Sequence, residues 1–444
     1  MTALNNRVAI IGGGVSGMAA AHYLLQAGRK VDLYEGGSAL GGRMGLGRFK
    51  EEEVCFGGKN IGYGYKEFRG FLKSYGAPDY EYFGINSARL ERGKIKAFNS
   101  QNKFQSFLTL ATTATPQDIL RLWKSVKSVK AERLNGDTAG PWFAALKDQQ
   151  LSTYFSPKFL EKIIRPLTVR MNGAEPQDIS LENFGTHLKM LTDEYEQLKT
   201  PVADILSNFQ NTPDVTCYMD CPVATLSEEK REYKLVTPKF TQNYKDVILA
   251  LTAPQASLLL ESANPSASQA LRHVRYFPVG IILAEYKEDV FGKDIRALVL
   301  GPESPISNIG AYASTQLNRV RYSFSGESAA ELLHENLDEA DLLDIAEQAA
   351  APHFNIQENK CLGYKLKYWP QGLCAYTTNE TAFQTELKQS LEATSSLHLT
   401  GDYLKGASIE NCFRASKACV QKLLERRIPN LEQTQKNGLA EAME

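Results

Sequence analysis

Three glycines near the start of the chain, Gly12, Gly14 and Gly17 in "GGGVSG", carry the spacing GxGxxG, and an acid, Glu35, follows them. Each glycine at this spacing has its own physical task. The first permits a tight turn, the second lets the backbone approach a pyrophosphate, and the third lets a helix pack closely on a strand. A helix starting there offers unpaired N–H groups and a positive dipole end to the anion. A carboxylate about 20 residues further on accepts hydrogen bonds from ribose hydroxyls and repels a ribose 2′-phosphate. The chemistry implied is the binding of a dinucleotide with free ribose hydroxyls; this unit by itself does not separate NAD from FAD. The histidines His22, His187, His273, His334, His353 and His398 show neither HxH nor HExxH spacing. No Ser-His-Asp pattern is visible either, so metal catalysis and acyl transfer find no support.

The elements that must hold these residues can be read around them. "RVAII" (Arg7–Ile11) is a short apolar strand, and Met18–Ala27 has a helical apolar stripe at Ala20, Ala21, Leu24 and Leu25 that stops at Gly28. "KVDLY" (Lys30–Tyr34) is a second strand ending on Glu35. Two later apolar runs, Tyr244–Pro254 and Ser396–Leu404, read as buried strands of a parallel sheet. Residues 104–200 alternate amphipathic helices with polar loops, with Pro116 and Pro157 in first helical turns, whereas residues 270–325 alternate as strands do. A chain of 444 residues exceeds what one core usually organises. The expected fold is α/β, with a Rossmann-like nucleotide domain discontinuous in sequence (1–80, 205–262 and 385–428). A mixed α+β substrate domain (81–204 and 263–384) is interleaved with it, and a polar tail occupies 429–444.

Lys+Arg 50 against Asp+Glu 51 leaves a net charge of -1, without the basic excess of nucleic-acid binders. The seven cysteines contain no CxxC pair, which points to free thiols in a reducing cytoplasm rather than to disulfides or zinc. No leader pattern opens the chain and no run reaches the roughly 18–20 apolar residues of a membrane span. The chain reads as soluble, unprocessed and cytoplasmic. The basic amphipathic stretch Leu120–Arg133 has two readings, an ordinary solvated face or a peripheral contact with anionic lipid.

The continuation "GGSALGGRMG" after Glu35 resembles the glutathione-reductase-type flavoproteins, and the chain is similar to the superfamily of flavin amine oxidases, protoporphyrinogen oxidases and phytoene desaturases. "VCFGGKNIGYGYKEFRGFLKSYG", "IIRPLTVRMNGAEPQDIS", "YWPQGLCAYTTNE" and "LHLTGDYLKGASIENCFRASKACVQKLL" agree with that resemblance. It implies FAD as cofactor, with Gly12, Gly14, Val15, Ser16 and Gly17 around the pyrophosphate and Glu35 on the adenosine ribose. Gly42 and Arg43 would place the pyrophosphate and flavin, and Gly57 and Gly58 would line the isoalloxazine. Val223 would meet the adenine, Gly401 and Asp402 the ribityl and phosphate portion, and Ser408 and Ile409 the start of the last helix beside Glu410.

Departures from the family narrow the activity. The place of the flavin-linked lysine of amine oxidases falls at about Ile281, and the nearby Lys287 reads as a solvated strand end. The carboxylate-clamping arginine of L-amino-acid oxidases is replaced by Asn60 in "FGGKN", which disfavours a free amino acid. Lys59 beside it is either a cation acting on reduced flavin or superoxide, or a lysine pointing to solvent; Lys59 and Asn60 are the candidate catalytic residues. Half of the tyrosine cage is missing because Ser408 stands there. Tyr376 and Trp369 fit either a pocket wall or core packing, and Cys374 either a covalent flavin link or a buried thiol. The expected activity is hydride transfer from a small apolar amine or an unsaturated or heterocyclic metabolite to FAD, forming C=N or C=C, with O2 as acceptor because no second GxGxxG is evident. The rivals are a protoporphyrinogen-oxidase- or desaturase-like enzyme on a large apolar substrate, a flavin-dependent isomerase or flavin-binding protein, and an NAD-only enzyme. Oligomeric state is not legible in the sequence.

Overall fold

The computed structural model describes residues 7–425, apart from 83–85, 92–93, 100–111, 136–149, 180, 182–183, 186, 189–192, 293–294, 302, 336, 357, 376–379, 393 and 395. Tyr376 and the polar tail 429–444 lie outside the described residues.

A five-stranded sheet has the spatial order Val215–Tyr218, Lys30–Tyr34, Arg7–Ile11, Asp246–Leu249, Leu397–Leu399. Every pairing in it is parallel. Side chains of Arg7–Ile11 alternate between two apolar clusters, Val8 and Ile10 entering one while Ala9 and Ile11 enter the other. Burial on both faces explains why these strands read as continuous apolar runs. The two late strands are shorter than the runs that announce them. Asp246–Leu249 ends before the helix Ala253–Leu260, and Leu397–Leu399 before the short helix Asp402–Lys405. A parallel strand stops where its backbone must turn into the next helix, and apolarity alone carries no mark of that turn.

The first helix runs Val15–Gln26, three residues earlier than its apolar stripe suggests. Gly14 is extended (φ -71°, ψ -175°) and caps it, so Val15, Ser16 and Gly17 already form the first turn. It ends where Ala27 N–H reaches the Tyr23 and Leu24 carbonyls and Gly28 turns left-handed. The last helix, Ile409–Glu425, lies beside it; buried Ser416 donates to the Ser16 carbonyl at 2.8 Å and hydrogen-bonds Thr400.

A second, seven-stranded sheet has the order Cys361–Cys374, Tyr276–Tyr286, Arg319–Phe324, Asn308–Ala311, Ala297–Val299, Asn86–Glu91, Lys94–Asn99. It is antiparallel except between Ala297–Val299 and Asn86–Glu91. Ile282, Ala284 and Tyr286 face one cluster, while Ile281 and Leu283 face Phe49, Val54 and Phe56. The helix Pro265–Arg272 sends Ala267, Ala270 and Leu271 under the parallel sheet, although its sequence position follows residue 262. Ile119, Leu120 and Trp123 on the helix Pro116–Asn135 are exposed. Among the described residues no helix is long and apolar enough to cross a membrane.

Candidate active site

The glycine turn is built for close backbone approach. Gly12 is left-handed (φ +105°), and a Cβ there would lie 2.6 Å from the Ala250 carbonyl oxygen. A Cβ on Gly17 would lie 1.8 Å from the Gly12 carbonyl oxygen, so the helix seats on the strand only because that position is bare. Gly14 and Gly41 form a β-bridge, and a Cβ on left-handed Gly42 would lie 3.1 Å from Gly14 Cα. The two glycine pairs thus face each other. Glu35 accepts from Gly13 N–H at 2.8 Å and Gly37 N–H at 2.7 Å, which fixes the carboxylate at the end of its strand. Gly12, Gly14, Val15, Ser16, Glu35 and Val223 all line one cleft of about 1040 Å³. That exceeds the roughly 300–1,000 Å³ of ordinary small-ligand pockets and suits a dinucleotide.

The far end of the cleft is closed by the C-terminal segment. Arg43 donates to Asp402 Oδ2 at 2.6 Å and to the Gly372 carbonyl at 3.3 Å, while Tyr276 donates to Asp402 Oδ1 at 2.6 Å. Asp402 is 2 % exposed, and the Arg43 side chain retains 33 % exposure toward the cleft. Burial works against the guanidinium charge, yet the Asp402 carboxylate beside it holds Arg43 above its ordinary value. Burial first, then the same carboxylate, pushes the Tyr276 hydroxyl well up, so it stays a donor. Gly57 packs so tightly beneath Arg43 that a Cβ there would lie 2.0 Å from the Arg43 carbonyl oxygen, and Gly58 faces Ile409. Gly42, Arg43, Gly58, Gly401, Asp402 and Ile409 all line the same cleft as Gly12 and Gly14. The glycine cradle, the fixed acid and the cleft volume fit FAD.

A second cavity of about 300 Å³ adjoins the first. Met44, Leu46, Gly58 and Ile409 are walls of both. Lys59 lines the second cavity rather than pointing to solvent; its Nζ donates to the Tyr312 carbonyl and lies 3.5 Å from the Tyr312 ring centroid. Burial, followed by the nearby Arg321 charge, pushes the Lys59 ammonium down to about 7. Asn60 turns its side chain to Gln197, accepting from Nε2 at 2.9 Å. Ser408 is a helix cap, accepting from Asn411 N–H at 3.1 Å. Glu410 is buried; its carboxylate accepts from the N–H groups of Glu67 and Phe68, at the start of the helix Lys66–Tyr75, and from Arg414.

Ile281 is buried among Phe49, Val54 and Phe56, and Lys287 is exposed. Trp369 lines the cleft and touches Gly45. Cys374 is buried, its carbonyl accepting from Asn172 Nδ2 at 2.6 Å; the thiol lining the cleft is Cys412, pushed up to about 12 by burial. Sequence reasoning missed Tyr276, Tyr312, Gln197 and Cys412. Each lies on an element whose position relative to the cleft is set by sheet packing, so no local spacing marks it.

No curated protein sequence matches the chain. Its fold is similar to that of a putrescine oxidase solved with putrescine bound, at 14 % identity and TM-score 0.73, covering 95 % of this chain and 99 % of that one. It is also similar to the cyclohexylamine oxidase of Brevibacterium oxydans IH-35A, at 15 % identity and TM-score 0.72, with 95 % and 99 % covered. A fatty acid isomerase from P. acnes described as CLA-producing matches at 11 % identity and TM-score 0.66, with 95 % and 99 % covered. Residues 15–424 match the family of flavin containing amine oxidoreductases as a whole, and the chain belongs to that family: it is an FAD-dependent oxidoreductase.

Proposed function

We propose that the enzyme carries out a two-electron oxidation of a small apolar amine or an unsaturated or heterocyclic metabolite, forming C=N or C=C, with O2 as the acceptor. The observation that carries this reading is the wall shared by the two cavities at Met44, Leu46, Gly58 and Ile409. A substrate carbon at that wall would face the flavin end of the long cleft. When bound, FAD supplies a hydride acceptor, and the protein's part is to place the reacting C–H and exclude water.

The assignment of groups to roles belongs to the same proposal. Residues 1–80, 205–262 and 385–428 hold the cofactor, and residues 81–204 and 263–384 shape the substrate chamber. Gly12, Gly14, Val15, Ser16, Gly17 and Gly42 give their backbone to the pyrophosphate, Glu35 takes the ribose, and Val223 meets the adenine. Arg43, Gly57, Gly58, Gly401, Asp402, Ser408 and Ile409 seat the flavin half. Lys59 acts from the wall of the second cavity, and Asn60 acts next to it, held by Gln197. With an ammonium brought down to about 7, Lys59 takes up or gives a proton at Nζ near neutral pH. Free cysteines at every position support a cytoplasmic setting. The test is anaerobic mixing of purified enzyme with candidate substrates: loss of flavin absorbance near about 450 nm supports net oxidation. Turnover with no loss of that absorbance sinks the oxidation and leaves an isomerase.

A further inference from the structure

One polar side chain on the wall of the second cavity is buried and only half engaged. Gln197 is 4 % exposed and lines that cavity. It sits on the strand Tyr195–Leu198, the middle one of three, between Ile61–Gly62 and Tyr80–Tyr82. Backbone pairing on both sides therefore fixes where its side chain leaves the sheet. Glu196, one residue earlier, leaves from the opposite face and holds Arg69 at 2.7 Å. The amide of Gln197 has one end committed: Nε2 donates to Asn60 Oδ1 at 2.9 Å. Among the described residues no donor reaches its Oε1, and that oxygen is not sealed in the core, so it opens on the cavity.

The surroundings say what such an oxygen can receive. Glu81 stands directly opposite Gln197 in the strand register, so both side chains leave the same face, and Glu81 lines the cavity as well. Ser314 donates to one Glu81 oxygen at 2.7 Å, which holds the carboxylate in place. Two acceptors thus lie side by side on one wall. Gly58, Lys59 and Asn60 run consecutively from the wall shared with the cofactor cleft to the partner of Gln197, so these acceptors lie a short reach from that wall. The side chains of Met44, Leu46, Phe68 and Ile409 line the cavity too and offer no hydrogen bond, which suits a hydrocarbon body. An acceptor shielded from water without a donor is costly. An entering N–H group removes that cost, and a molecule without a donor leaves it in place.

We infer that Gln197 is a specificity-determining residue: its Oε1 accepts an N–H of the substrate beside Glu81, which selects nitrogen-bearing molecules over unsaturated ones that carry no donor. The inference rests on the reading of that cavity as the substrate chamber. Asn60 takes Nε2 and so turns the oxygen of the amide, rather than its nitrogen, toward the ligand.

Calorimetric titration of the purified holoenzyme with hexanamide and, separately, with methyl hexanoate tests it. Both carry a carbonyl on the same hydrocarbon chain, and only the amide donates N–H. Hexanamide binds about tenfold more tightly, the ratio expected for one hydrogen bond to an acceptor otherwise left unpaired. Gln197→Leu brings the two affinities together by weakening the amide alone, whereas Gln197→Glu, which keeps an oxygen at that place, keeps the preference. A purely structural role would weaken both ligands alike. The wild-type comparison needs no variant to fold, and flavin absorbance verifies that each variant retains its cofactor. Equal affinities in the wild type, a preference that survives Gln197→Leu, or equal weakening of both ligands overturns the inference. An amide preference in an enzyme whose flavin no substrate bleaches would instead sink the oxidation and leave the role of Gln197 standing.

Discussion

Replacing Gly17 by alanine adds one methyl group at the tightest backbone crossing in the nucleotide site. Its carbon would lie 1.8 Å from the Gly12 carbonyl oxygen and 3.0 Å from the carbonyl carbon, against the roughly 3.4 Å of ordinary contact. The neighbour is backbone in a left-handed turn, so no side-chain rotamer relieves the overlap. The helix Val15–Gln26 must move off the strand by more than about 1 Å, opening the cluster around Met18, Leu24 and Ile10. Overpacking of this kind costs about 1–3 kcal/mol, and here the upper end or beyond, since whole-element displacement replaces side-chain adjustment. Moving the helix also displaces the N–H groups proposed to meet the phosphates, so FAD should be lost together with stability.

Gly70 supplies the control. It is exposed within the helix Lys66–Tyr75 and a Cβ there meets nothing within 4 Å, so Gly70→Ala should stabilise by about 0.5–1 kcal/mol through reduced chain entropy. Urea unfolding midpoints and bound flavin per chain, measured side by side for the two variants, give the comparison. Full FAD content and an unshifted midpoint in Gly17→Ala would refute the claim that this crossing fixes the helix.

Asp402→Asn strips the charge that balances Arg43, and breaking a buried pair costs about 3–5 kcal/mol. Because Arg43 keeps contact with cleft water, the low end is expected, read as a lower melting temperature of the cofactor-free protein and weaker FAD retention. Glu35→Ala removes the acceptor of the Gly13 and Gly37 N–H groups; at about 1.5–3 kcal/mol for each bond to a charged group, with the exposed Gly37 bond at the low end, FAD dissociation accelerates measurably in a flavin-fluorescence assay. Lys59 sets a pH dependence. Its ordinary value is 10.5 and its folded value about 7, so between these limits the unfolded chain binds the additional proton and stability rises with pH. Below about pH 7 the cost of the buried charge is present in full; denaturant titrations of Lys59→Gln should lose the rise across that window.

Local spacing was enough to place the glycine turn and its acid on one cleft. Gly12, Gly14, Gly17 and Glu35 act through backbone geometry within one β-turn-α-turn-β unit, so their order along the chain is their order in space. The same holds for Gly41 and Gly42, whose contact with Gly14 closes a loop of fewer than thirty residues. Element ends were less legible, since the helix start at Val15 and the strand end at Leu249 depend on caps and turns and not on apolar periodicity. The reading of Lys59 could not be decided from alternation, because its surroundings come from Tyr312 and Arg321, more than two hundred residues away.

By itself the sequence determined the parallel nucleotide-binding unit, its acid, and the family resemblance carried by short runs at both ends of the chain. Those features are written in glycine positions and apolar strands, where each residue's own conformational limits decide the outcome. Tertiary structure alone decided that Asp402 closes on Arg43 and Tyr276 and that Lys59 faces a cavity. Charge pairing is a matter of distances between elements, and those distances are fixed only when the seven-stranded sheet packs against the loop carrying Phe56, Gly57 and Gly58.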